Sequence, residues 1–323
     1  MTRSPQTQER YTTLLATALG PMQALLDDPA TVEVIVNPTG EVWHERQGTP
    51  LLATGICLSA DQVAQLIYTV AGLQGEVCTA EHPSVSAILP GSRVRFQGLL
   101  PPATPAPSCV MRRPAHQLYP LAQYVTDGIM EAWQATVLQE AVATKQNILL
   151  AGQTGSGKTT LLATLLGLMP EERLLTIEDT AELPQGTDRC QALYTSATRP
   201  MATVLRDSLR LRPDRLIVGE VRGVEAVDLL DAWTTGHPGG LATIHAGTPE
   251  EALRRLESCV RQVSPSHPQP LPLEVARPLI ATTIQVLVCL HRTATGRRVS
   301  ALARVHGLRG MEYHLERLTE ASL

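Results

Sequence analysis

The chain has 323 residues, 43% of them apolar and 18% charged, with a net charge of −4. That is apolar material for two ordinary cores, and both halves are acidic on balance, which excludes a basic nucleic-acid surface. Ten aromatic residues are too few for a single-strand stacking platform, and six cysteines without a C-x-x-C pair exclude a zinc knuckle and a disulfide framework.

Residues 11–26 place Leu14, Leu15, Ala18, Leu19, Met22, Leu25 and Leu26 at helical spacing, and Asp27-Asp28-Pro29 ends that helix. Residues 32–36 and 41–45 read as two strands of a hairpin around the turn Asn37-Pro38-Thr39-Gly40. Ser59 can cap a helix through Val63, Leu66, Ile67 and Val70, and residues 85–89 and 92–100 read as further strands. The expectation is an α+β domain over 1–115, followed by a proline-punctuated linker over 116–133.

From 134 to 323 the pattern changes. A helix around Ala135–Val142 precedes short apolar strands at 148–151, 174–177, 216–218 and 241–244, each separated by a helical stretch. This alternation means a mostly parallel sheet, an α/β domain. The tail, 283–291, a Thr295-Gly296 turn, 299–305 and 312–315, reads as closing antiparallel strands.

The chemistry-bearing motifs lie in this second domain. Gly152-Gln153-Thr154-Gly155-Ser156-Gly157-Lys158-Thr159 is a G-x-x-x-x-G-K-[ST] loop between an apolar strand and a helix that opens with Thr160. Its glycines let backbone N–H groups curl around phosphate, Lys158 reaches the β- and γ-phosphates, and the Thr159 hydroxyl is offered to Mg²⁺. Lys158 is one of only two lysines among 27 basic residues, at the place where a guanidinium would not fit.

Glu178, Asp179 and Glu182 cluster just past a strand's carboxyl end, where they can hold the hydration shell of Mg²⁺. The same residues also fit a helix start with Asp179 as cap and Glu182 three positions on. The strand Arg215–Val218 leads through Gly219 to Glu220, the Walker B position, where a carboxylate orients the attacking water and takes its proton. His245, at the end of the strand 241–244, is placed to touch the γ-phosphate, whereas His237 shapes the glycine turn before that strand.

In this order the phosphate loop, acidic box (176–182), Walker B strand (216–220) and histidine box (236–246) resemble the secretion ATPase superfamily of type II and type IV secretion, pilus assembly and conjugation. Residues 29–38, 138–143 and 209–215 resemble most closely its TrbB-type conjugal transfer branch, cousins of the VirB-system traffic ATPases. The resemblance covers nearly the whole chain. It implies a PAS-like N-terminal domain followed by a RecA-like P-loop NTPase domain, assembled as a homo-hexamer, with ATP and Mg²⁺ between the two domains. It also implies a cytoplasmic protein held at the inner membrane by other components of a conjugation or secretion apparatus. The longest apolar stretch, 280–290, is interrupted by Thr282, Thr283 and Gln285, so no integral membrane segment is expected.

The resemblance further implies that Arg93 and Arg112 of the N-terminal domain reach the phosphates, with neighbouring Arg95 and Arg113 leaving that assignment open. It makes Arg210 a phosphate sensor or intersubunit finger. Gln153 stands where the family often has glycine, Val110-Met111 where an isoleucine-rich strand is usual, and a four-cysteine insert is missing. Alternatives are a type IV pilus or type II secretion motor, a RecA-like DNA-dependent ATPase, which the acidic balance disfavours, and a scaffold that binds nucleotide without hydrolysing it.

Overall fold

The computed structural model describes residues 5–92, 94–113, 119–183, 188–196, 198–263, 267–293 and 296–322, in two compact units, 1–116 and 117–323. Arg93, part of the expected linker (116–118) and Thr295 of the expected turn lie outside the described residues.

The first unit opens with α1 (Pro5–Leu19) and α2 (Met22–Asp27) where the sequence suggested one helix. The break falls at Gly20, whose φ of +52° leaves the helical region, followed by Pro21, which has no N–H to continue the ladder. Next come β1 (Thr31–Val36), β2 (Glu41–Arg46), β3 (Leu52–Cys57), α3 (Ala60–Gln74), β4 (Ser84–Ile88), β5 (Arg95–Leu99) and β6 (Ser108–Arg112). The strands form one antiparallel sheet in the order β3-β2-β1-β6-β5-β4. Ser59 caps α3 through a reciprocal capping box with Gln62. Alternate residues Val34, Val36, Val42, Phe96 and Met111 turn to the face that buries Leu66, Ile67 and Val70 of α3 and Leu15 and Leu19 of α1. β3 was not anticipated: it is an edge strand with no buried residue, so no apolar alternation marks it.

In the second unit α4 (Leu121–Thr126) lies within the stretch read as linker, with Leu121 and Tyr124 buried in the core. There follow α5 (Ala132–Ala143), β7 (Ile148–Gly152), α6 (Lys158–Leu166), β8 (Leu174–Glu178), β9 (Cys190–Tyr194), α7 (Met201–Ser208), a 3₁₀ turn (Leu209–Leu211), β10 (Arg215–Val218) and α8 (Glu225–Thr234). The chain ends with β11 (Leu241–Ile244), α9 (Pro249–Val260), α10 (Leu273–Thr283), β12 (Val286–Thr293), β13 (Gly296–Arg309) and β14 (Glu312–Arg317). One sheet takes all eight strands in the order β14-β13-β12-β7-β11-β10-β8-β9.

Strands β12, β7, β11, β10, β8 and β9 run parallel, and β13 and β14 are antiparallel. The expectation of an antiparallel tail therefore fails for β12, because α10 carries the chain back across the sheet, so that it re-enters beside β7 in the parallel direction. Along β7, Leu149 and Ala151 enter one core layer and Ile148 and Leu150 the other; β10 and β12 split the same way. Burial on both faces explains why these strands read as continuous apolar runs. Among the described residues no helix is long and apolar enough to cross a membrane.

Candidate functional site

The parallel strands point their carboxyl ends to one edge, where open α/β sheets bind ligands. β7 runs into the loop 152–159, β8 ends at Glu178, β10 leads to Glu220, β11 to His245 and β12 to His291 and Arg292. Strand order, not sequence order, sets the neighbourhood: the loop lies between the ends of β11 and β12.

The loop has the shape of an anion cradle. Gly155 (φ +75°) and Gly157 (φ +96°) adopt the left-handed conformation that side chains disfavour, and a Cβ on Gly152 would strike the Ser156 hydroxyl and the Leu290 carbonyl. Gly157 is the N-cap of α6, so Lys158, Thr159 and Thr160 form the first helical turn, whose N–H groups and dipole favour negative charge. Lys158 is 7% exposed, and its ammonium donates to the carbonyls of Gly152 (2.8 Å) and Gln153 (3.0 Å). Burial pulls its proton affinity below the ordinary lysine value, against the charges of Glu220 and Glu182, which raise it. Ser156 Oγ is fully buried and, among the described residues, has no hydrogen-bond partner. An orphaned hydroxyl, a buried ammonium and a helix N-terminus within one glycine-rich loop fit a phosphate chain.

Past the loop, Glu220 is the centre of a charge chain. Its Oε2 meets Arg222 Nη2 at 2.6 Å and its Oε1 meets His245 Nε2 at 2.9 Å. Arg222 Nη1 continues to Asp179 Oδ2 at 2.8 Å, and Asp179 Oδ1 accepts from the Thr195 hydroxyl at 2.8 Å. Burial pushes the Glu220 carboxyl up, but the hydrogen bond and charge of Arg222, with His245 and Lys158, more than offset it and hold the group below the ordinary carboxylate value. The turn is pinned from below: Thr243 Oγ1 donates to the Gly219 carbonyl, and Glu225 Oε1 accepts from the N–H groups of Arg222 and Gly223.

Glu178, expected in the cluster around the Mg²⁺ hydration shell, is bound to the backbone. It is 3% exposed, and its Oε2 accepts from the N–H groups of Glu182 and Leu183, both at 2.8 Å, which holds the turn after β8. Residues 179–183 form no helix, so Asp179 is not a helix cap. A Cβ at Gly219 would lie 3.2 Å from Glu178 Cγ, so a side chain there would press on Glu178. The Glu182 charge reaches both Lys158 and Arg222.

Within the second unit the structure does not bring all the expected residues together. His237 sits at the other edge of the sheet, where its Nδ1 meets the Pro213 carbonyl at 3.1 Å. Arg210 is exposed on the 3₁₀ turn before β10, at the end opposite Glu220. In the first unit Arg112 is exposed on β6, in register with Glu33 and Arg95. Arg113 is committed locally, donating from Nη1 to the Asp28 carbonyl at 2.7 Å. Two residues with no role in the sequence reading stand out. Arg222 bridges Asp179 and Glu220, and Arg297 Nε donates to the Gly155 carbonyl at 3.1 Å.

Mg²⁺ fits this edge through the Thr159 hydroxyl, half-buried in the first turn of α6. Among the described residues no three carboxylate, imidazole or thiol groups converge on a metal-sized site, so the phosphates and water would supply most of the ion's shell.

Residues 81–307 match the family described as Type II/IV secretion system protein. The chain is 40% identical over 295 residues to the conjugal transfer protein TrbB of Rhizobium radiobacter, covering 90% of this chain and 88% of that protein. It is 42% identical over 302 residues to a probable conjugal transfer protein TrbB of Sinorhizobium fredii, covering 91% and 90%. Among solved structures, that of the VirB11 ATPase from the Brucella suis type IV secretion system, in complex with sulphate, aligns with a TM-score of 0.51 at 29% identity, covering 93% of this chain and 96% of that one.

Proposed function

Because the chain belongs to the type II/IV secretion system protein family, with conjugal transfer proteins among its relatives, we propose that it is an ATP hydrolase driving a type IV secretion or conjugal transfer apparatus. The observation that carries this reading is the meeting, at one sheet edge, of a phosphate cradle containing buried Lys158 with a carboxylate, Glu220, that is ion-paired and still partly accessible. In this reading Gly152–Thr160 hold the phosphates, and Mg²⁺ with Thr159 neutralises charge between them. Glu220 orients a water toward the γ-phosphorus and accepts its proton as the bond to the ADP oxygen breaks. Lys158 and His245 meet the charge that develops on the γ-phosphoryl oxygens. Glu178, Asp179 and Arg222 keep the acidic edge in place. Hexamer formation, the participation of Arg93, Arg112 and Arg210, and attachment to inner-membrane partners are carried over from the family.

Lys158→Met tests the reading with two readouts of opposite sign. ATP turnover should fall by about 10²–10³-fold, the scale of one lost transition-state donor. The nucleotide-free protein should melt no lower than wild type, because a buried ammonium with a lowered proton affinity opposes folding. The sign follows from linkage: the unfolded chain holds that proton more tightly, so wild-type stability rises with pH as the ordinary lysine value is approached, and the variant loses this rise. Turnover within about twofold of wild type would sink the proposal. Mass in solution with and without ATP tests the ring.

A further inference from the structure

The β12–β13 hairpin brings two arginines to the phosphate loop from the far end of the sequence. Arg292 and Arg297 are direct cross-strand partners, so their side chains share one face of the hairpin. Arg297 lies along the loop: its Nε donates to the Gly155 carbonyl at 3.1 Å, and its Cδ would sit 3.1 Å from a Cβ on Gly157. Arg292 Nη1 stands 3.8 Å from the place of a Cβ on Gly155. Two like charges directly opposite each other cost stability, and among the described residues no carboxylate forms an ion pair with either. The hairpin is held firmly where this happens. Val299 N–H donates to the Ile129 carbonyl at 2.7 Å, and Arg298 pairs with Glu131 at 3.2 Å.

An uncompensated pair of guanidiniums against a loop that already favours anions has a physical reason if the loop's occupant is polyanionic. The buried, partnerless hydroxyl of Ser156 inside the same loop points to that occupant independently. The bond to Arg297 also fixes the Gly155–Ser156 peptide plane, whose N–H donates to the Gln153 carbonyl at 3.2 Å, so Arg297 braces the turn at the centre of the loop.

We propose that Arg297 is a positioning residue for the phosphate loop, backed electrostatically by Arg292, so that nucleotide affinity depends on the C-terminal hairpin. This rests on the reading of the loop as an ATP site. Because the bond is made to the loop itself and not to the γ-phosphate, it acts on ADP and ATP alike and on binding more than on the chemical step.

The test uses the full chain, a fluorescent ADP analogue for affinity and steady-state hydrolysis for kcat and KM. R297A should raise the ADP Kd and the ATP KM together by about tenfold while kcat stays within about twofold, the scale of one charge-assisted bond. R297K, which keeps a donor and the charge, should recover most of the loss. R292Q, at an exposed position, should weaken ADP binding by about threefold at low salt and not at high salt, and it keeps the inference testable if R297A fails to fold. Wild-type ADP affinity in both R297A and R292Q, or a fall in kcat at unchanged Kd, overturns the inference alone. A wild-type protein that binds no ADP overturns the nucleotide reading and this inference with it.

Discussion

Asn147, one residue before β7, ties three segments of the second unit together, and its removal makes a quantitative prediction. Its Oδ1 accepts from the N–H groups of Gly239 (2.8 Å) and Gly240 (2.9 Å), and its Nδ2 donates to the Thr283 carbonyl (2.7 Å). The side chain is 4% exposed and the partners are buried, so Asn147→Ala leaves two N–H groups and one C=O without partners away from water. At about 1–3 kcal/mol for each unsatisfied group, with partial relaxation, the loss is about 4 kcal/mol, a large part of the 5–15 kcal/mol that holds a domain together. With a urea m-value of about 2 kcal/mol/M, the unfolding midpoint should drop by about 2 M. Asn147 lies at the amino end of β7, opposite the phosphate loop, so the folded fraction should keep the wild-type KM for ATP. A midpoint within about 0.5 M of wild type would refute the reasoning, as it would mean that water or backbone movement satisfies all three groups.

Glu220→Gln keeps the side-chain shape but cannot accept the water's proton, so turnover should fall by about 10²–10⁴-fold while ATP stays bound; radiolabelled nucleotide recovered as ADP at the wild-type rate would count against Glu220 as the base. Arg222→Ala breaks the links to both Glu220 and Asp179. The guanidinium is more than half exposed, so melting should change little, whereas kcat should fall by about tenfold as Glu220 loses its orienting bond. A lowered melting temperature with unchanged kcat would make Arg222 a framework residue instead.

The parts of the site that the sequence announces are those made by one strand and the few residues after it. Lys158, Glu220 and His245 each follow an apolar run short enough to be a buried strand, so their common edge follows once the sheet is parallel. Arg222 and Arg297 escape notice because Asp179 and Gly155, which they reach, are 43 and 142 residues away and meet them only through the strand order. The parallel placement of β12 beside β7, which delivers Arg292 and Arg297, has no local signal, since its apolar run suits either direction. β9 was missed for a related reason: an edge strand of half-buried residues lacks the pattern that burial imposes. Where local chemistry does decide, the reading carries far, as in the α3 cap at Ser59, whereas the break at Gly20 and Pro21 falls inside the span that apolar spacing reads as one helix.

Two glutamates at the tips of adjacent strands could each have been the base, and their environments separate them. Glu178 is buried, and one of its oxygens accepts two backbone N–H groups; moving it would leave both donors orphaned and release the turn after β8. Glu220 is held by side chains only, Arg222 and His245, of which Arg222 is largely exposed and both can swing away without stranding a backbone group. The base in the proposed reaction must exchange one partner for water and then for a proton, and of these two glutamates Glu220 can do so without disturbing the fold. Glu178 has a different consequence for catalysis. By fixing the 179–183 turn it sets where Asp179 stands, and through the Asp179–Arg222 pair it sets where Arg222 can hold Glu220. The buried acid thus acts through the partly exposed one, and the division of roles follows from which of the two has backbone groups depending on it.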